Sequence, residues 1–163
     1  MTAPAASAYE IVLAVHVMAV VAAFGVTFAY PIMFAVGARA DPRSLPVLHR
    51  IQHSTERFLI NPGLALVLAA GIFLASDGHQ WSEFFVQWGL TVVIVIGAVV
   101  GAVMIPTAKR AEELARAAVE AAGAGEAPTL GAEYERLVRR MNIVGTLLSV
   151  LVLVTILFMV VKP

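Results

Sequence analysis

The 163-residue sequence contains no cysteine. This excludes disulfide bonds, thiolate-bound zinc, iron–sulfur clusters and cysteine nucleophiles. Charge is also scarce, because only 13% of residues are charged and 11 basic residues balance 11 acidic ones. Without an overall basic field, the chain is not expected to bind nucleic acid. No phosphate-binding loop, dinucleotide-binding fingerprint or nucleophile elbow is present. Chemistry must therefore come from histidine, carboxylates, amides or a bound cofactor.

The sequence is instead rich in long apolar stretches. Hydrophobic residues make up 60% of the chain, more than is usual for a soluble domain. Residues 11–36, 58–75, 84–105 and 143–161 contain no Asp, Glu, Lys or Arg. About 20 residues at 1.5 Å each cross the hydrocarbon core as a helix, so each stretch can span, the second with help from its flanks. We predict an all-α integral membrane protein, an antiparallel bundle of four transmembrane helices that forms one domain over 1–163 in the lipid bilayer.

The basic residues are distributed unevenly between the loops. Loops 37–57 and 106–140 hold all of the 11 basic residues except Lys162. Such a bias places the basic loops in the cytoplasm. We therefore expect a multi-pass protein of the inner (cytoplasmic) membrane with both termini outside.

The loop 106–140 contains apolar residues at helical spacing. Alanine and leucine recur on one face over residues 111–122. This pattern predicts a short cytoplasmic amphipathic helix between helices three and four, ended by Gly123, Gly125 and Pro128. Its simplest role is to extend helices three and four around a turn, and the alternative is a surface for docking a partner.

His16 is the most unusual residue of the first apolar stretch. It lies six residues past Glu10, which places it about 9 Å into the outer leaflet. An ionisable side chain at such a depth usually faces the bundle interior and marks a site. Neutral imidazole is a common metal ligand and the usual proximal ligand of haem iron. A structural histidine that hydrogen-bonds between helices is an equally open interpretation.

Four other residues have structural explanations of their own. Pro62 removes a backbone donor and predicts a kink in helix two. Arg57 is expected to extend to the cytoplasmic interface, and Asn142 to cap the start of helix four. Lys162 ends helix four on the same side as His16, where a cation interacts favourably with the last helix carbonyls.

The remaining histidines suggest a weak metal hypothesis. His49 and His53 are four residues apart on one helical face, with Glu56 close by, and this spacing is compatible with a divalent metal. Solvated histidines on a cytoplasmic extension of helix two explain the same pattern more simply. We also expect His79, in the short loop before helix three, to be solvated.

Taken in order, these features resemble the four-helix membrane proteins of the HemJ-type protoporphyrinogen oxidase group. Its relatives include uncharacterised predicted integral membrane proteins and CopD-like copper-resistance proteins. The resemblance covers all four spans. It is carried by His16, Phe24-Gly25, Tyr30-Pro31 and Phe34 in helix one, by Arg57, Pro62 and Gly71 in helix two, and by Arg140-Met141-Asn142 and Val160-Val161-Lys162-Pro163 around helix four.

This resemblance implies haem b as a cofactor with His16 as a ligand of the iron. It also implies that Arg57, Asn142 and Lys162 border the porphyrin or substrate site and that Pro62 shapes helix two. The residue chemistry alone is compatible with one shared site for His16 and Lys162, whereas Arg57 and Asn142 lie toward the opposite membrane face.

Two departures separate the sequence from the HemJ-type enzymes. Those enzymes carry a lysine early in helix three, where this chain reads Gln87-Trp88-Gly89-Leu90, and an acidic residue where this chain has Ile143. Neutral groups at these positions cannot transfer protons or pair with charges. We therefore expect a haem-binding relative that lacks the oxidase reaction.

Three functions fit these observations. The first is a membrane protein that binds haem b through an intramembrane histidine and acts in redox or porphyrin-related chemistry. The second is a cofactor-free membrane subunit or scaffold, since Gly97 and Gly101 form a GxxxG motif that suits a homo-oligomer or a membrane-complex partner. A small transporter is the third, although the spans show no internal symmetry and contain no carboxylate.

Overall fold

The computed structural model describes residues 6–123 and 126–163, which form four long helices. The helices are α1 (Ala8–Ala40), α2 (Pro42–Asp77), α3 (Phe84–Ala121) and α4 (Ala132–Val161). No strand occurs among these residues. Each helix is long and apolar enough to cross a membrane. The predicted all-α, four-span architecture is thereby confirmed.

The helices pack side by side in an antiparallel bundle. The first part of α1 (Ala8–Gly25) packs along the second part of α2 (Asn61–Asp77), and the start of α3 (Phe84–Val99) packs against α4. At the other end, Leu45–Thr55 of α2 packs against Ile105–Ala121 of α3. We call the end that holds the N-terminal part of α1 and the C-terminal part of α4 the terminal end. The opposite end, where most Arg and Lys residues lie, is the basic end.

The helices are longer than their apolar stretches. The 36 residues of α2 extend about 54 Å, whereas the hydrocarbon core is about 30 Å thick. The basic ends of α2, α3 and α4 therefore continue beyond the apolar segments. The predicted amphipathic helix is this continuation of α3, the simpler of the two roles expected for it, and it ends at Ala121, just before Gly123. Gly125, also predicted to end it, lies outside the described residues.

Proline disturbs each of the first three helices. A proline lacks the backbone N–H and its ring crowds the preceding turn, so that turn must adopt a different hydrogen-bond pattern. The sequence predicts a kink in helix two at Pro62. In the structure, α2 departs from α geometry in the turn just before this proline. The three irregular turns are the 3₁₀ turn Val26–Phe28 before Pro31, the π turn Glu56–Ile60 before Pro62 and the π turn Val100–Met104 before Pro106.

Two apolar clusters hold the helices together. Small side chains let α3 approach its neighbours closely at the basic end, where Ala111 and Ala115 are fully buried. The cluster at the basic end consists of Leu45, Met104, Ala108, Ala111, Ala115, Tyr134 and Met141. The cluster in the middle of the bundle consists of Ala23, Phe24, Val92, Ile96 and Val152.

Candidate functional site

A cavity lies between the helices toward each end of the described bundle. The cavity toward the terminal end has a volume of about 440 Å³ and is lined by His16, so we call it the His16 cavity. The cavity toward the basic end has a volume of about 350 Å³ and is lined by Glu56, so we call it the Glu56 cavity. Phe24, Ile96 and Val152 line both cavities. These three buried side chains form the apolar wall between them.

His16 reaches its cavity from α1 and lies against a glycine of α2. A Cβ atom at Gly71 would lie 3.3 Å from His16 Cε1, closer than nearly all real Cβ contacts. Because Gly71 has no side chain, the imidazole of His16 fits between α1 and α2. The ring atom Nδ1 is buried and has no hydrogen-bond partner among the described residues. Buried polar nitrogens usually have a hydrogen-bond partner. The Nδ1 atoms of His49 and His53 also lack one among the described residues.

Lys162 lines the same cavity from the end of α4. Its backbone adopts the left-handed conformation with φ of 51°, and its N–H donates to the Phe158 carbonyl over 2.9 Å. The ammonium Nζ lies 5.3 Å from the centre of the Phe85 ring. Since Phe85 also lines the cavity, the structure brings the cation of Lys162 and the imidazole of His16 to one space.

The Glu56 cavity is lined by three buried polar side chains of the protein's basic half. His49, Gln52 and Glu56 of α2 are 1%, 3% and 3% exposed. The Gln52 amide nitrogen donates to Glu56 Oε1 over 3.0 Å. Further polar side chains of the lining come from α1 and α4: Thr27, Tyr30, Asn142, Thr146 and Ser149. The three irregular turns before Pro31, Pro62 and Pro106 all contribute residues to the lining of this cavity. Irregular turns within a helix are often found at functional sites.

His49 corrects one prediction from the sequence. The residue was expected to be solvated, but it is buried, and its Nε2 lies 3.0 Å from the Tyr134 hydroxyl. The reason is that the amphipathic start of α2 packs against α3 and α4 at the basic end. Burial lowers the pKa of His49 to about 4 and raises the pKa of Tyr134 to about 12, so both groups are neutral near pH 7.

The structure does not assemble the suggested metal pair. His49 faces Tyr134 and the Glu56 cavity, whereas His53 is half-buried and does not line that cavity. Across residues 6–123 and 126–163, no cluster of three or more His, Asp or Glu side chains is arranged to hold a metal ion. His79 is exposed, as predicted.

The other site residues suggested by sequence resemblance do not join His16. Asn142 does not cap the start of α4 as predicted, because α4 already begins at Ala132; it lines the Glu56 cavity, on the far side of the apolar wall. Arg57 is exposed, with its guanidinium 5.4 Å from the centre of the Phe58 ring, and it lines neither cavity. Pro62 is also exposed and acts through the π turn that precedes it.

Sequence reasoning missed Gln52 and the Tyr30 hydroxyl. The signal was available in part, because Leu45, His49, Gln52 and Glu56 follow one another at i, i+4, i+7 and i+11. Residues at this spacing share one face of a helix. A stripe that begins with leucine and continues with three polar side chains indicates a polar group facing the bundle interior.

Comparison with known proteins places the chain in a family. Residues 10–163 match the family model described as "Predicted integral membrane protein (DUF2269)". The chain belongs to this family. The match supports the membrane assignment and connects the chain to neither the HemJ-type enzymes nor the CopD-like proteins. No curated protein and no solved structure matches the chain.

Proposed function

We propose that this protein is a haem b-binding member of its membrane family, with His16 as a ligand of the iron and the porphyrin in the His16 cavity. The observation that carries the proposal is the buried Nδ1 of His16, which has no hydrogen-bond partner among the described residues. His16 lines a cavity of about 440 Å³, a volume within the range of ligand and cofactor pockets. Cofactor sites of helical bundles commonly lie between facing helices in this way.

The residues of the His16 cavity fit the chemistry of a haem. The macrocycle needs apolar walls, which Val20, Leu68, Leu90 and their neighbours supply. Its iron needs an imidazole, and its propionates need a cation near the rim. Lys162 provides the cation at the terminal end of the same cavity. When bound, haem would supply one-electron redox chemistry, while the chain's own residues would orient it and exclude water.

The proposal includes a distant relationship to the HemJ-type and CopD-like proteins. The order of the matching residues along the first, second and fourth spans supports it. Of the residues implied by that resemblance, His16 and Lys162 belong to the proposed haem site. Arg57 and Asn142 do not contact that cavity, so we assign them no part in haem binding. Pro62 contributes indirectly, by setting the turn at Glu56–Ile60.

We further propose an orientation in the inner (cytoplasmic) membrane with the basic end in the cytoplasm and both termini outside. The bias of Arg and Lys toward the two loops of the basic end supports this orientation. Reporter fusions after residue 122 and after residue 163 test it. We expect cytoplasmic activity from the first fusion and external activity from the second. A cytoplasmic C-terminus would overturn the orientation without affecting the haem assignment.

A second candidate function is that of a cofactor-free subunit or scaffold. Gly25 and Gly101 favour it, because both are exposed and a Cβ at either would meet no atom within 4 Å. Small residues on the surface of a transmembrane helix allow close approach by another helix. These two glycines would suit a second copy of the chain or a partner in a membrane complex.

An absorption spectrum of the purified protein separates the two candidates. The protein should be produced in cells supplied with haem, extracted in mild detergent and measured before and after reduction. The proposal predicts a Soret band that shifts on reduction, at about one haem per chain. A featureless visible spectrum would contradict haem binding and favour the scaffold.

A further inference from the structure

The Glu56 cavity contains hydrogen-bond acceptors that the protein leaves unpaired. Glu56 Oε2 and Gln52 Oε1 are buried and have no hydrogen-bond partner in the part of the chain that the structure describes. Both residues are 3% exposed and line the cavity. Unpaired buried acceptors are costly, because the groups have lost water and gained nothing in return. The Tyr30 hydroxyl, which also lines the cavity, is likewise unpaired among the described residues. A ligand that donates more than one hydrogen bond would satisfy both acceptors.

The cavity lacks a cation of its own. No Lys or Arg is found among its described lining residues. Arg57 directly follows Glu56 in the sequence, but its guanidinium lies over the exposed Phe58 ring instead. A buried carboxylate without a basic partner is expensive to keep ionised. A ligand that brings positive charge would complete the pair.

Aromatic rings form much of the remaining wall. Phe24, Phe28, Tyr30 and Phe34 line the cavity from α1, opposite Met104 and other apolar side chains of α3 and α4. Aromatic faces attract cations and pack against apolar bodies. An anion would be repelled by Glu56, and a fully polar molecule would leave the aromatic wall without contacts. The cavity, at about 350 Å³, is larger than the 150 Å³ or so that accommodates a benzene ring.

We propose that the Glu56 cavity binds a small apolar amine in its protonated form, with the ammonium group donating to Glu56 Oε2 and Gln52 Oε1 and the apolar body against the aromatic rings. The wall of Phe24, Ile96 and Val152 separates this site from the His16 cavity. The amine site therefore stands independently of haem binding, and either proposal can fail alone.

Calorimetric titration of the protein in detergent micelles tests the proposal. The probes are benzylammonium, 2-phenylethylammonium and cyclohexylmethylammonium, with 2-phenylethanol as a neutral match for the second. We expect at least one ammonium to bind saturably, and 2-phenylethanol to bind at least tenfold more weakly than its ammonium counterpart. Glu56→Gln should weaken ammonium binding at least tenfold and leave the alcohol unaffected. The matched control Glu133→Gln, at an exposed carboxylate of α4, should change nothing.

Gln52→Met serves as a second variant, because it keeps the carboxyl group of Glu56 but removes the other acceptor, together with the amide that donates to Glu56 Oε1. It should weaken ammonium binding by a smaller factor than Glu56→Gln. The proposal is overturned if none of the three ammonium probes binds saturably, or if alcohol and ammonium bind equally well. Equal binding of an ammonium by the wild-type protein and both variants would also overturn it, because the binding would then not depend on Glu56 or Gln52.

Discussion

The imidazole Nε2 of His49 lies 3.0 Å from the hydroxyl oxygen of Tyr134, with both side chains buried at the basic end. The two rings meet edge to face, 5.7 Å apart. This contact joins α2 to α4, two helices that come from different halves of the chain. It lies beyond the apolar segment of either helix, so water competes for both groups whenever the contact opens.

Removing the Tyr134 hydroxyl should therefore destabilise the fold. Tyr134→Phe leaves His49 Nε2 buried without its partner, and we expect the free energy of unfolding to fall by about 1–3 kcal/mol. Denaturant unfolding in micelles, followed by circular dichroism, measures the change. Tyr9→Phe, at a half-buried tyrosine near the terminal end, should leave the unfolding curve unchanged. Equal effects of the two substitutions would show that the His49–Tyr134 contact contributes nothing.

The lowered pKa of His49 predicts a pH dependence of stability. The folded protein holds the pKa at about 4, whereas the unfolded chain returns it to about 6.5. Between these values the unfolded state binds more protons, so stability falls as the pH is lowered from 6.5 toward 4. We expect His49→Gln to lose this contribution. Its unfolding midpoint, compared with that of the wild-type protein at several pH values, should fall less on acidification, and parallel profiles would refute the assignment.

The sequence predicts the four spans well, for a simple physical reason. Charged side chains are excluded from hydrocarbon, so residues 58–75 and the three other charge-free stretches locate the spans directly. The helix ends are not visible in this way. The amphipathic segment after Pro106 continues α3 because alanine-rich sequence propagates a helix and Ala111 and Ala115 find a surface to pack on. The start of α2 and the start of α4 provide that surface, and they do so only in the folded protein.

The site is less predictable than the fold. Depth in the membrane singles out His16, and chain position places Lys162 at the same end. Hydropathy could not reveal the burial of His49 or the pairing of Gln52 with Glu56, because both depend on how the start of α2 meets its neighbours. Arg57 is exposed, as its expected position at the interface implies, although the preceding Glu56 is buried.

Gly71 should control how well the haem is held. Gly71→Ala places a Cβ 3.3 Å from His16 Cε1 and forces the ring to shift by a few tenths of an ångström. We expect haem affinity to fall about tenfold, as when a group that orients a metal ligand is changed. Gly101→Ala is the control, because its Cβ meets no atom within 4 Å. Equal haem content of the two purified variants would place the porphyrin elsewhere.

The protein should be a poor protoporphyrinogen oxidase even with haem bound. Gly89 lines the His16 cavity against Met159, and Ile143 is exposed on α4, so neither position offers a proton-transferring group. The measurement is complementation of a bacterial strain that lacks its own protoporphyrinogen oxidase. We expect no growth without added haem. Robust growth would show that the lysine and the acid of the HemJ-type enzymes are dispensable.

The most direct test of the account is the haem content of His16→Ala, measured with His79→Ala as a matched control. His16 is the ligand we propose, whereas His79 is exposed in the loop before α3. The account predicts that His79→Ala keeps the wild-type Soret band and haem stoichiometry, and that His16→Ala loses most of both while remaining folded by circular dichroism. An unchanged Soret band in folded His16→Ala would contradict the assignment of His16 as the iron ligand.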